Sequence, residues 1–514
     1  MATLRITMAF FCFSASVFLL VFAAPLNSIQ GQETQSENPF EQEPVQLPED
    51  AEKNAPAPEG AGAEATGQPA DDALLDAITK EMGGLIPADG DLDSAVVSKL
   101  REAAAAYADR NMDKALKLLN ELKAVSPQCP PGEILIASLH FSAQRNALGF
   151  QALEAAAKKA PDYPGVYFAF GRMALNQNRL TDAGALAEKA GRAFQNGDFA
   201  EVETIHFRRQ YFQIMTLVAL RQERLEDASK LSASFQKVAP DDTGSLVLAA
   251  EVACNNGETE KSLEFLRRMR ASDPSLKVPE LIVAEWCRAL GRVEESATLM
   301  RKAVSQHPDD AATQIAFADW AVGFEEFESA MDAVKKAESA NQKETLATMW
   351  IKGQVAFAKE DYETAENELK KIFAQNQGVE ITHQYALCLI ENADNEKKYL
   401  AHKLAEKNLK ASPNNKRALA AAGWILYRRG EKKNSEFYFA QATKDKNLTP
   451  ETAYYLARFF AEKGDNTNAM LLLKQAVSKK GYFMYRQPAT KLLKEVSAKL
   501  DKKEGQELPQ PSNN

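Results

Sequence analysis

Histidine and cysteine, which most often bind metals or act as nucleophiles, are scarce in this sequence of 514 residues. It contains five histidines and five cysteines, and no histidine stands at metal-ligand spacing from another histidine, a cysteine or a carboxylate. The sequence has no histidine in a nucleophile arrangement and no phosphate-binding glycine loop. We therefore predict a protein that is not an enzyme and has no cofactor, no bound metal and no small-molecule substrate.

Long apolar runs are also missing, except at the N-terminus. After Arg5, the run from Met8 to Ala24 is mostly apolar and ends in two small residues. This form is typical of a secretory signal peptide, and cleavage after Ala23 would place Val21 and Ala23 at the two positions that must be small. An uncleaved anchor is the alternative, because such a run is at the lower limit for spanning a bilayer. Residues 1–24 thus predict export to the periplasm or envelope, with secretion as a further option.

Four cysteines follow the signal segment, and in an exported protein an even number raises the question of disulfides. Cys254 and Cys287 occupy nearly the same place in neighbouring sequence units. A bond would require both side chains to turn towards each other. Small buried hydrophobic residues are the interpretation that we favour for them, as for Cys129 and Cys388.

Alternation of Val, Ile and Thr is rare, and alanine, leucine, lysine and glutamate dominate after residue 94, which favours helices over sheets. The segment 345–377 reads as two amphipathic helices joined by a tight turn. The small residue early in the second helix recurs about every 34 residues, with one longer interval between Ala183 and Ala228. Its positions are Ala115, Gly149, Ala183, Ala228, Ser262, Ser296, Ala330, Ala365, Ala401, Ser435 and Ala469.

Prolines close several units at the same phase, where they stop the second helix: Pro127, Pro161, Pro240, Pro274, Pro308 and Pro413. This 34-residue pattern resembles the tetratricopeptide repeat (TPR) family. The resemblance implies an all-α, right-handed α-solenoid of about eleven helix-turn-helix repeats over residues 95–484, with a capping helix at 485–500. The long interval contains eleven extra residues near 194–205, which we expect to form a loop or to lengthen a helix.

The remaining segments are assigned by composition. Residues 25–70 are acidic and rich in Pro, Gln and Ala, and we predict a disordered linker. Residues 71–94 predict a short amphipathic helix and a loop, with the helix docked on the first repeat or, alternatively, recognised by another protein. Residues 501–514 predict a disordered tail.

Charge is distributed unevenly along the chain. Residues 33–93 contain 16 acidic residues and two lysines, whereas residues 394–503 contain 24 basic and 11 acidic residues. We favour a solvating tail and a lysine-rich outer face as the explanation. The alternative is that the basic C-terminal half binds an anionic polymer or surface. Export argues against nucleic acid as that ligand.

The TPR resemblance also implies a binding surface, because the first helix of each repeat in that family lines a concave groove. Carried over to this sequence, the groove includes Arg172, Glu251, Glu285, Asp319, Trp350, Gln354, Trp424, Tyr427, Arg428, Tyr454 and Arg458. Three of these are acidic residues in consecutive repeats, and the C-terminal members are aromatic or basic. The groove would therefore change sign along its length, as suits an extended ligand.

These features predict an exported TPR scaffold that binds one or more protein or peptide partners in its groove, in envelope assembly or secretion. Membrane contact is expected only through an uncleaved N-terminal segment. The family's groove for a carboxyl-terminal carboxylate needs paired lysine and asparagine residues, and this sequence lacks that set.

Overall fold

The computed structural model describes residues 74–75, 79, 94–392, 394–443, 448–478 and 483–506. Over these residues the chain is helical, with no strand. The helices before the middle of the chain are α1 Ser94–Ala108, α2 Met112–Val125, α3 Gly132–Ser142, α4 Asn146–Lys159, α5 Pro164–Asn176, α6 Leu180–Asn196, α7 Glu201–Arg221, α8 Leu225–Val238, α9 Thr243–Asn255, α10 Thr259–Ser272, α11 Pro279–Ala289 and α12 Val293–Gln306. They are followed by α13 Ala311–Gly323, α14 Phe327–Asn341, α15 Leu346–Ala358, α16 Tyr362–Gln375, α17 Val379–Glu391, α18 Asn395–Ala411, α19 Lys416–Arg428, α20 Lys432–Ala442, α21 Pro450–Glu462, α22 Asn466–Ser478 and α23 Arg486–Gln506.

The helices form eleven consecutive hairpins, α1–α2 to α21–α22, followed by α23, so the predicted all-α repeat fold is confirmed. All eleven predicted small residues are buried, from Ala115 to Ala469. At Gly149 an added Cβ would overlap the ring of Phe141. Small side chains at this position therefore allow the two helices of a hairpin to approach closely.

Hairpin boundaries follow from local chemistry. Each of the six predicted prolines stands two positions beyond the end of a second helix, as Pro161 does after Lys159. Proline cannot continue the helix because it lacks the backbone N–H.

In ten of the eleven hairpins, the described turn after the first helix contains one residue with positive φ. These residues are Arg110, Gln144, Asn178, Glu223, Gly257, Gly291, Glu325, Glu360, Gly430 and Gly464.

The chain divides into two compact units between Ala297 and Thr298, inside α12. In each unit most first helices of consecutive hairpins pack on one another, as α5 does on α7 and α19 on α21. No pair of second helices makes comparable contact in the described part of the chain. Each unit therefore has an inner layer of first helices and an outer layer of more widely spaced second helices, and it curves towards the inner layer.

The eleven extra residues of the long interval lengthen two helices. Helix α6 has 17 residues against 14 in α8, and α7 has 21 against 13 in α9. Phe207, in the added part of α7, is fully buried. Its ring contacts those of Tyr163, Phe168 and Phe199. The insertion thus joins the apolar core of the neighbouring hairpins, which explains why it is helical.

A smaller insertion near residues 392–397 lengthens a helix and leaves the preceding turn short. Helix α18 has 17 residues against 14 in α16, so the extra residues extend the start of the helix. Asp394 caps this helix by accepting a hydrogen bond from the backbone N–H of Glu396. The cap explains why the helix begins there.

The predicted capping helix corresponds to α23, which packs on α22. It continues past the predicted boundary at residue 500 and ends at Gln506. At the other end, Leu74 and Leu75 are helical and pack on the core of the first hairpin. The predicted signal segment 1–24, the linker 25–70 and the last part of the tail, 507–514, lie outside the described residues.

Candidate functional site

The inner layer of the first unit carries charged side chains at the ninth position of the repeat. Arg172 on α5 donates a hydrogen bond to the side-chain oxygen of Gln210 on α7. Two repeats after Arg172, Glu251 occupies the same position on α9, and Glu285 follows on α11. Between Arg172 and Glu251 the position is filled by Leu217, which is buried. Along this unit, the residue at the ninth position is therefore first a cationic arginine, then a buried leucine, and then a glutamate in two successive repeats.

The carboxyl group of Glu251 has an unusual pKa. Burial raises the pKa of Glu251 to about 7, and the neighbouring guanidinium of Arg221 only partly opposes this shift. Arg221 is fixed by donating to the backbone oxygen of Leu175 over 2.7 Å. The Oε2 atom of Glu251 has no hydrogen-bond partner among the described residues. Because Oε2 is buried, this carboxyl group is not open to solvent, and with a pKa of about 7 it is only partly ionised near neutral pH.

Glu285 and Asp319 are more open to solvent. Lys277 lies 3.7 Å from Glu285, whose side chain is 25% exposed. Asp319 belongs to the second unit and is exposed on α13. Trp350 is partly buried against the core of the second unit, and Gln354 is 8% exposed. The inner face near α15 is thus used mainly for packing.

The second unit brings the five C-terminal members of the predicted groove together. Trp424 is completely buried, and Tyr427 and Tyr454 are nearly so. The guanidinium groups of Arg428 and Arg458 lie 5.6 and 5.3 Å from the centre of the Trp424 ring. Such contacts favour the charged form of arginine close to an aromatic face. The result is an aromatic groove lined by α19 and α21.

Residues Phe483–Arg486, which lead into α23, occupy this aromatic groove. The ring of Tyr485 stacks on that of Tyr454 at 4.8 Å and meets the ring of Phe357 edge-on at 5.3 Å. Phe483, Met484 and Tyr485 are all less than 5% exposed. We call Phe483–Arg486 the plug. Sequence reasoning missed it, although four apolar residues, 482–485, directly before the cap were a visible departure from the repeat.

Two carboxylates fix the plug. Glu391, at the end of α17, accepts hydrogen bonds from the indole N–H of Trp424 at 3.1 Å and from the hydroxyl of Tyr485 at 3.4 Å. Arg428 lies 3.3 Å from the same carboxylate. At the other end of the plug, Arg486 forms an ion pair with Glu325 at 2.6 Å.

Several of the basic C-terminal residues are paired with carboxylates. Four of them meet carboxylates that precede residue 394 in the chain: Lys397 with Glu366, Arg417 with Glu380, Arg428 with Glu391 and Arg486 with Glu325. The excess of positive charge counted along the sequence is therefore partly neutralised in three dimensions. This pairing lowers the attraction that an anionic polymer would experience.

All four cysteines of the described region are free and buried. The sulfur atoms of Cys254 and Cys287 are 4.0 Å apart, so the two side chains do turn towards each other. The Cys287 thiol and burial both raise the pKa of Cys254. A raised pKa suppresses the reactive thiolate of Cys254.

The part of the chain that the structure describes contains no group of three or more His, Cys, Asp or Glu residues able to hold a metal ion. Among its helices, none has the length and apolar character needed to cross a membrane.

Comparison with known proteins gives similarity at the level of structure. No family model matches the sequence, and no curated protein matches it. Similar solved structures include a tetratricopeptide repeat protein from Parabacteroides merdae, with 15% identity, 49% of this chain and 97% of that chain covered and a TM-score of 0.38. Human IFIT1 has 15% identity, coverage of 85% and 87% and a TM-score of 0.36. Yeast Tom70 has 12% identity, coverage of 80% and 97% and a TM-score of 0.33.

These similarities are too low to carry an argument about function. The fold is identified by the chain's own features, namely eleven hairpins, a 34-residue period and a buried small residue in every second helix. On that basis the described part of the chain has a TPR-like repeat fold.

Proposed function

We propose that this protein is an exported, non-enzymatic scaffold that binds an extended segment of a protein partner along the inner layer of its first unit, in envelope assembly or secretion. The observation that carries this proposal is the ninth repeat position, where Arg172, Glu251 and Glu285 replace packing residues. Recurring residues build the stack, so partner recognition depends on residues that do not recur. A ligand with an acidic group followed by a basic group would match Arg172 and Glu285.

The anionic-polymer alternative has less support, because carboxylates from earlier hairpins pair with basic residues of the C-terminal half.

The proposal of export rests on the N-terminal segment. A mature chain that begins at Ala24 in the exported fraction would support it, and a full-length chain retained inside the cell would contradict it.

Site-specific photo-crosslinking in the native compartment tests the binding surface. A photo-reactive residue at position 285, on the inner layer, is compared with one at position 264, which is exposed on the outer helix α10. We expect a discrete protein adduct from position 285 and none from position 264. Equal adducts from both positions would contradict the proposal.

A charge reversal tests the recognition chemistry. With the photo-reactive residue placed at Arg172, Glu285→Lys should reduce the adduct yield at least fivefold, whereas Glu264→Lys changes the net charge equally and should leave the yield unchanged. A yield that does not respond to Glu285→Lys would show that the acidic groups do not select the partner.

A further inference from the structure

The plug reaches much further than a cap requires. A capping helix needs only to cover the last hairpin, and α23 does so by packing on α21 and α22. The plug, in contrast, contacts Phe357 on α15, Glu391 at the end of α17 and Trp424 on α19. Its Arg486 pairs with Glu325, which follows α13. These contacts follow the inner layer back across four hairpins, along the path that a bound peptide would take.

The groove around the plug also has the chemistry of a binding site. The Tyr485 side chain is enclosed by the rings of Phe357, Tyr454 and Tyr455, and its hydroxyl points to Glu391. Aromatic anchors in closed apolar surroundings contribute most of the energy in typical interfaces. At one end of the plug Glu391 selects a hydroxyl group, and at the other end Glu325 selects a guanidinium group.

We propose that the plug is an internal ligand, and that the groove of the second unit accepts in its place a protein segment in which tyrosine is directly followed by arginine. A partner segment must compete with a plug that is tethered on both sides, at an effective concentration in the millimolar range. The groove is therefore closed to weak ligands and opens only for a segment that matches the plug or adds contacts beyond it. This site lies in the second unit and does not depend on Arg172, Glu251 or Glu285.

The test uses the full chain with the plug removed by Phe483→Gly, Met484→Ser, Tyr485→Gly and Arg486→Ser, which leaves the rest of α23 in place. The probe is a synthetic peptide, GYFMYRQP, that copies residues 481–488. By calorimetry or fluorescence anisotropy, the peptide should bind this variant at least tenfold more tightly than the wild-type chain. The control peptide GYFMAAQP, without the tyrosine and arginine side chains of the plug, should bind at least tenfold more weakly.

Circular dichroism establishes that the variant is folded. If it unfolds, Tyr485→Ala alone is the second variant, and it should bind GYFMYRQP at least threefold more tightly than the wild type. A folded variant that binds neither peptide would overturn the proposal, as would equal binding of both peptides. Light scattering that shows a dimer with exchanged C-terminal segments would identify the partner as a second copy and would also overturn it.

Discussion

Glu251 is a carboxyl group whose protonation is tied to folding. Its pKa is about 7 in the folded chain, against 4.5 for an unperturbed glutamate. The folded chain therefore holds this proton more tightly than the unfolded chain does. It follows that the contribution of Glu251 to stability is greatest below pH 4.5 and is lost as the pH rises through 7.

We predict that this loss reaches about 3 kcal/mol, since one pKa unit corresponds to about 1.4 kcal/mol. The Glu251→Gln variant cannot ionise, so relative to the wild type it should be more stable at pH 8 than at pH 5 by up to that amount. Urea unfolding of both proteins at both pH values measures the difference. A stability difference between them that is the same at pH 5 and pH 8 would contradict the prediction.

The sequence could place Glu251 on an inner helix but could not show its environment. The ninth repeat position follows from the 34-residue period alone. The pKa shift depends on burial and on Arg221, which lies at the end of the lengthened helix α7. Similarly, Trp424 and Tyr454 stand at predicted groove positions, but their burial depends on contacts with Tyr485 from outside the repeats.

The hairpin turns adopt a positive φ both at glycine and at residues that have a Cβ atom. Glu223 has a φ of 58° at the end of α7, whereas Gly257 has a φ of 80° at the equivalent turn after α9. Positive φ is unfavourable for residues with a Cβ atom and easily adopted by glycine. The same backbone geometry is therefore maintained with different amounts of local strain.

We predict opposite effects for a matched pair of substitutions at these turns. Glu223→Gly should raise the free energy of unfolding by about 0.5–1 kcal/mol, and Gly257→Ala should lower it by about 1 kcal/mol. A Cβ atom at Gly257 would meet nothing within 4 Å, so the loss reflects backbone strain without steric clash. Thermal unfolding monitored by circular dichroism measures both effects. Changes of the same sign would show that backbone strain does not dominate at these turns.

Among the elements, insertions were the hardest to predict. The long interval between Ala183 and Ala228 revealed eleven extra residues, but not whether they would form a loop or helix. The outcome depends on tertiary contacts of Phe207 with rings from α5 and its neighbouring segments. Repeated hairpins were predictable because each buries the same small residue against its own partner helix.

At the scale of the whole molecule, stability should be local, because each hairpin contacts mainly its neighbours. The fold was predictable for the same reason, since one period describes all eleven hairpins. The plug was not, because Glu325 and Arg486 lie in distant parts of the sequence and no local pattern relates them. A chain of repeats therefore combines predictable short-range packing with a few long-range contacts that only the structure reveals.

Because packing is local, a final prediction concerns Ala365, a completely buried residue of α16. Ala365→Leu should cost about 1–3 kcal/mol by overpacking. Hydrogen exchange should accelerate in α16 and in α15 and α17, each of which contacts α16. Ala228→Leu, the equivalent change in the first unit, should act instead on α7, α8 and α9. Hydrogen exchange with mass spectrometry distinguishes the two patterns, and uniform acceleration by either variant would mean that the array unfolds as a single cooperative block.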